Sequence, residues 1–228
     1  MKTHHSIYQP PLSSRATRKV LHRSKASGPG AMVARLKAHA RPVTIDYESG
    51  LEGRTAHLLA ARRDIFDLRS QPPFVEYVDD AGRNRKHVFD FLATLDSGLR
   101  IAVAVKPWQR VIQRRFDEEL KLVAEAMPAR FAERVLLVTD RHINKTAARN
   151  ATLFNLFWLH PDDEADAHVL SVAKMMGETF RLGDLMEKSN LGSRAFAAVV
   201  RGIYRGPFSA DLTLPLSDTS ILSARETV

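Results

Sequence analysis

Apolar and polar positions are most informative over residues 86–106, KHVFDFLATLDSGLRIAVAVK. Two apolar runs, 87–92 and 100–106, predict the strands of a hairpin, and Asp96-Ser97-Gly98 supplies the turn. An acid, Asp90, interrupts the first run, and Lys106 ends the second just before Pro107. Upstream, residues 47–64 predict a helix that Ser49 can cap, with Leu51, Leu58 and Leu59 as its apolar stripe. Glu48 and Glu52 lie four apart and can share one side of it. An extended stretch begins at Ile65, and Gln71-Pro72-Pro73 stops any helix. Residues 74–78 then read as a strand and 79–82 as a turn.

Downstream, Val111, Ile112, Phe116, Leu120, Val123 and Ala124 recur at helical spacing and predict one long helix over 108–127. Residues 134–138 are a buried-type strand. The strand–helix–strand crossover that results implies parallel pairing within the sheet. A helix over 144–159 follows, and a second unit starts near Pro161. There, residues 163–180 are helical, 181–187 and 193–203 are short helices around the turn 189–192, and 208–216 form a wing strand. Helix, short turn and helix is the outline of a helix-turn-helix. Ser193, Arg194 and Arg201 are its candidates for meeting DNA or a partner protein.

Charge sharpens this picture. The net charge of the 228 residues is +8. Nine of the 34 Lys and Arg fall in residues 1–45, which hold no Asp or Glu, leaving 25 basic against 26 acidic residues beyond. The excess thus lies in a Pro/Ser/Gly-rich arm expected to be disordered over 1–40, although 32–40 can add a helical turn. Arg15, Arg18, Lys19, Arg23 and Lys25 suit contact with polyphosphate. Zero cysteines exclude disulfide and thiolate chemistry. No apolar run approaches the roughly 20 residues of a spanning helix, and the polar N-terminus shows no secretory segment, so no membrane partner and a cytoplasmic, nucleoid-associated location are expected. No phosphate-cradling glycine loop, nucleophile elbow or paired His/Cys metal motif occurs, and His142 and His160 read as isolated histidines.

An acid on the first helix, an acid in the first strand of the hairpin and a lysine on the next strand suit metal-dependent phosphodiester hydrolysis. Two carboxylates and a strand carbonyl can hold Mg²⁺ or Mn²⁺, and lysine can orient water or screen developing charge. The stretches that carry these residues are Glu48-Ser49-Gly50-Leu51-Glu52, Asp67-Leu68-Arg69-Ser70-Gln71-Pro72-Pro73, Val88-Phe89-Asp90-Phe91 and Ala102-Val103-Ala104-Val105-Lys106-Pro107. With Thr139-Asp140 and Asn150-Ala151-Thr152-Leu153, they resemble the PD-(D/E)XK nuclease family, and within it the TnsA-like endonuclease subunit of heteromeric transposases. The resemblance implies an α/β fold. A restriction-endonuclease-like mixed β-sheet flanked by helices would occupy 41–160, a small helical winged-helix-like domain 161–216 and a loose tail 217–228. It implies catalytic roles for Glu52, Asp90 and Lys106, with Asp90, Glu52 and the Val105 carbonyl on the metal. The implied activity is cleavage of the 5′ ends of a transposon by direct attack of water. A DDE-type transposase subunit and an AAA+ regulator ATPase would be the protein partners, and transposon-end DNA the substrate.

The chain departs from the family pattern at Ala104, where an acid or glutamine is expected two positions before the lysine. Glu52 and Asp90 can suffice with extra waters, Glu48 or another acid can supply the missing ligand, or cleavage is lost and a DNA- and partner-binding subunit remains. The same residues also fit a winged-helix DNA-binding regulator or a stand-alone restriction-type nuclease.

Overall fold

The computed structural model describes residues 9–18 and 28–224. It is a mixed α/β structure in which several sheets are flanked by helices. No helix among the described residues is long and apolar enough to cross a membrane.

The chain first pairs β1 (Gly30–Ala34) antiparallel with β2 (Val43–Tyr47). Helix α1 (Gly50–Ala60) follows directly, and Ser49 caps it through a hydrogen bond from the Glu52 N–H. A four-stranded sheet comes next, in the order β3 (Ile65–Ser70), β6 (Phe91–Leu95), β7 (Arg100–Val105), β8 (Arg134–Val138). Strands β6 and β7 form the expected hairpin, and β7 and β8 pair in parallel as the crossover requires. A separate two-stranded ribbon joins β4 (Val75–Val78) to β5 (Asn84–His87).

Alternation along β7 gives the main sheet two different faces. Val103 and Val105 pack with Phe91, Leu68 and Ile45 beneath α1, while Ala102 and Ala104 pack with Phe89, Val111, Phe116 and Leu120 on the other side. That second face is covered by α2 (Trp108–Arg114) and α3 (Phe116–Ala126).

The C-terminal unit has its own core, in which Val169, Leu182, Leu185, Val199, Phe208 and Leu222 are buried together. Its elements run α5 (Asp163–Lys174), β9 (Thr179–Arg181), α6 (Leu182–Ser189), α7 (Ser193–Arg205), β10 (Phe208–Ala210) and β11 (Ile221–Ala224). The strands form an antiparallel sheet in the order β10-β11-β9. Helix α4 (Lys145–Leu159) joins this unit to the rest. Its Asn150 amide donates to the carbonyls of Leu212 and Leu214, and its Asn155 amide donates to the carbonyl of His57 in α1.

Several expectations need correction. Residues 87–92 are not one strand. Asp90 lies in a bend between β5 and β6, because the chain passes from one sheet to another there and carries Phe89 into one core and Phe91 into the other. The long helix over 108–127 is broken at Arg115, whose φ of 50° is left-handed. The break resets the helical phase, so Phe116, Leu120 and Val123 face the sheet and Ile112 is exposed. The helix expected over 163–180 stops at Lys174, with β9 beyond it.

The arm over 1–40 is not wholly disordered: Gly30–Ala34 is β1, and Leu12 bridges to Val43. Met32 and Ala34 point into the core beneath α1, which gives that strand its place and leaves no helical turn at its start. The tail over 217–228 is not loose as far as Ala224, since β11 is the middle strand of its sheet and buries Leu222. Lys19, Arg23 and Lys25 lie outside the described residues.

Candidate functional site

The capping residues of α1 fix the first acid. Glu52 stands three residues after Ser49, and its carboxylate turns back over the start of the helix. Oε1 accepts from the Ser49 hydroxyl at 2.8 Å and Oε2 from the Glu48 N–H at 2.7 Å. Only 9% of Glu52 is exposed. Burial raises its carboxyl pKa above the ordinary value; the two hydrogen bonds pull it down, and the neighbouring Glu48 charge pushes it up again.

The bend before β6 fixes the second acid. The Asp90 N–H donates to the Val103 carbonyl at 3.0 Å, and Asp90 Oδ2 accepts from the Val105 N–H at 2.6 Å. The carboxylate therefore lies along the open side of β7, where β6 has not yet begun. In a strand the N–H and C=O of one residue point to the same side, so the Val105 carbonyl is directed toward Asp90 as well. Asp90 keeps some contact with solvent, yet it lies deep among protein atoms. Burial first, then repulsion from Glu52, pushes its carboxyl up to about 7, against the opposing pull of the Val105 hydrogen bond, Lys106 and Arg18.

Lys106 follows β7 and leaves it on the α3 face. Its ammonium rests over the Phe116 ring, 4.5 Å from the centroid. It acts on Asp90 by charge and also lowers the His87 pKa, which burial chiefly depresses. Glu52 and Asp90 are thus neighbours, and Lys106 acts on Asp90 from the side of the sheet that α3 covers. Ala104 is only 1% exposed and belongs to the apolar core under α2 and α3. The position at which the resemblance expects a third ligand is a core position in this chain.

The N-terminal arm enters the same place, which the sequence did not signal. Arg18 Nη2 donates to Glu48 Oε2 at 3.1 Å, and Arg18 Nε donates to Gln71 Oε1 at 3.2 Å. Gln71 is 1% exposed, with a left-handed φ of 41°. That conformation is uncommon outside glycine and needs support from its surroundings. The support is a hydrogen bond from the Gln71 N–H to the Asp90 carbonyl, and two to the Gln71 carbonyl from the Thr17 N–H and hydroxyl. The only hint of this in the sequence is a glutamine standing before two prolines.

Among the described residues, no group of three or more His, Cys, Asp and Glu stands ready to hold a metal ion. The donors present nevertheless fit a hard divalent cation. All are oxygens, from two crowded carboxylates and a strand carbonyl, and Glu48 Oε1 beside them is buried with no hydrogen-bond partner. Such an ion keeps several waters, so few protein ligands are needed.

The other arginines have different work. Arg15 makes a two-pronged pair with Asp67, at 2.9 and 2.6 Å, and ties the arm to β3. Arg194 is clasped by Asp162 and Glu164. Arg201 corrects the expectation of a DNA- or partner-facing side chain. It is 2% exposed and bonds Asp166 at 2.8 Å and the His160 carbonyl at 3.0 Å. Of the three C-terminal candidates, Ser193 and Arg194 are exposed, at the first turn of α7. Comparison with models of known protein families gives no match, and comparison with curated proteins gives none either.

Proposed function

We propose that the chain is a metal-dependent DNA endonuclease subunit, similar to the TnsA-like subunit of heteromeric transposases. The observation that carries this reading is the crowding of Glu52 against Asp90 at the open side of β7, with Lys106 acting on the same carboxylate. Two acids held together against their repulsion favour a cation between them. The mixed sheet with α1 on one face and α2 and α3 on the other supports a restriction-endonuclease-like domain. The order α5, β9, α6, α7, β10, β11 supports a winged-helix-like domain after it.

In this reading Asp90, Glu52 and the Val105 carbonyl hold Mg²⁺ or Mn²⁺. Such an ion, when bound, polarises the scissile phosphate and lowers the pKa of a bound water. The Val105 N–H keeps the Asp90 carboxylate turned along the strand, and the capping bonds from Ser49 and Glu48 fix the Glu52 rotamer. Lys106 contributes positive charge beside the phosphate as negative charge builds on it. The substrate would be transposon-end DNA cut on its 5′ strands, in company with a DDE-type transposase subunit and an AAA+ regulator, in the bacterial cytoplasm at the nucleoid.

One observation favours a second reading, that of a DNA- and partner-binding subunit without cleavage: Ala104 is committed to the core. A strand-nicking assay in Mg²⁺ or Mn²⁺, with the partner subunits present, separates the two. Loss of nicking in Asp90→Ala and Lys106→Ala supports the nuclease. Nicking that is equal in wild type and both variants rejects this site.

A further inference from the structure

Arg18 carries the one positive charge of this chain that bridges the oxygens beside the acid pair among the described residues. Its guanidinium bonds Glu48 Oε2 and Gln71 Oε1, and its charge is felt by both Glu52 and Asp90. The fit is incomplete. Glu48 Oε1 is sealed from solvent with no hydrogen-bond partner, and Gln71 beside it is 1% exposed. Buried polar atoms are rarely left so. A planar guanidinium presents its donors in one fork and cannot be surrounded, whereas a divalent cation gathers oxygens from all sides. Only a side chain has to move to make the change. Arg18 is 39% exposed, and the backbone of the arm is pinned independently by Thr17 on Gln71 and Arg15 on Asp67.

We infer that Arg18 and a divalent cation compete for the oxygens of Glu48 and Gln71. Arg18 is the site's own counter-ion, and its departure frees the Gln71 amide oxygen to serve as the neutral ligand that Ala104 lacks. The inference rests on the cation site of the reading above, but not on cleavage. By linkage, whatever holds Arg18 in place weakens the cation, and removing Arg18 strengthens it by the same factor.

The test is a titration of the full chain with Mn²⁺ alone, read by calorimetry or by water-proton relaxation. Arg18→Ala should bind Mn²⁺ about tenfold more tightly than wild type. Arg41→Ala, which removes a like charge elsewhere on the N-terminal segment, should leave the affinity unchanged. Adding Gln71→Met to Arg18→Ala should reverse the gain in a protein that circular dichroism shows to be folded. Should that buried change prevent folding, Arg18→Ala with Glu48→Gln reads the same exchange at the other oxygen. Equal or weaker Mn²⁺ binding by Arg18→Ala, no Mn²⁺ binding by it, or an equal gain in Arg41→Ala overturns the inference. Strand nicking by the same variants, with the partner subunits added, separates the two proposals. A tighter cation without nicking removes the nuclease and keeps the exchange; nicking with unchanged Mn²⁺ affinity does the reverse.

Discussion

Asp90 Oδ2 and the backbone N–H of Val105 are 2.6 Å apart, and this contact ties the acid of the bend to the strand that carries Lys106. With the charges of Lys106 and Arg18, it favours a carboxylate that burial and Glu52 together make uncomfortable. The discomfort has a measurable sign. The folded chain holds a proton on Asp90 up to about pH 7, while the unfolded chain releases it near the ordinary 3.8. The folded state therefore binds more protons across that window, and stability falls as pH rises through it. Asp90→Asn keeps an acceptor for Val105 and removes the charge. It should be more stable than wild type by about 2 kcal/mol at pH 8 and no more stable at pH 4, in urea unfolding. An equal difference at both values would contradict the assignment.

Ser49 is expected to matter for both helix and site. Its hydroxyl accepts from the Glu52 N–H and donates to Glu52 Oε1. Ser49→Ala should cost about 1 kcal/mol of stability, the usual worth of an N-cap. It should also free one oxygen of Glu52, so its effect on Mn²⁺ affinity should exceed that of a cap at α4, such as Asn144→Ala. Calorimetric titration of both variants checks this.

Placing at position 104 the acid that the proposed resemblance expects should not create a metal site here. Ala104 is surrounded by Phe89, Val111, Phe116 and Leu120, and Ala104→Glu would bury an unpaired carboxylate. We expect a loss of about 3 kcal/mol or more, seen as a lower urea midpoint. A stable Ala104→Glu protein would mean that the position opens onto the cleft.

Arg201 is predicted to be a structural residue. Arg201→Met leaves Asp166 with Arg205 as its remaining partner, at 2.8 Å. The change should destabilise the fold by about 2 kcal/mol, less than for a fully stranded charge, because the half-exposed Arg205 alone then balances Asp166. At a temperature where the variant is fully folded, its DNA affinity should match wild type in a filter-binding titration at fixed salt.

Much of this arrangement was legible in the residues. The Ser49-x-x-Glu52 spacing announced the start of α1, and the length of the crossover announced the parallel pairing of β7 and β8. Asp96-Ser97-Gly98 marked the hairpin turn at its true place. What was not legible depends on tertiary contact. Nothing local marks Arg115 as the point where a helical stripe changes phase. Residues 30–34 are a strand because β2 lies beside them; Val33 is the one strand-favouring side chain among them. Arg201 reads as a surface cation because its partner Asp166 lies 35 positions earlier, on another helix. Gln71 and Arg18 meet only because a chain segment some fifty residues away folds back over β3.

The most direct measurement of the central claim is the rate of DNA strand nicking as a function of Mn²⁺ concentration, for wild type and Asp90→Asn, with the partner subunits present. The account predicts that Asp90→Asn needs more Mn²⁺ for half-maximal rate and that its saturated rate falls by about 100-fold or more. Superimposable curves for the two proteins would contradict it.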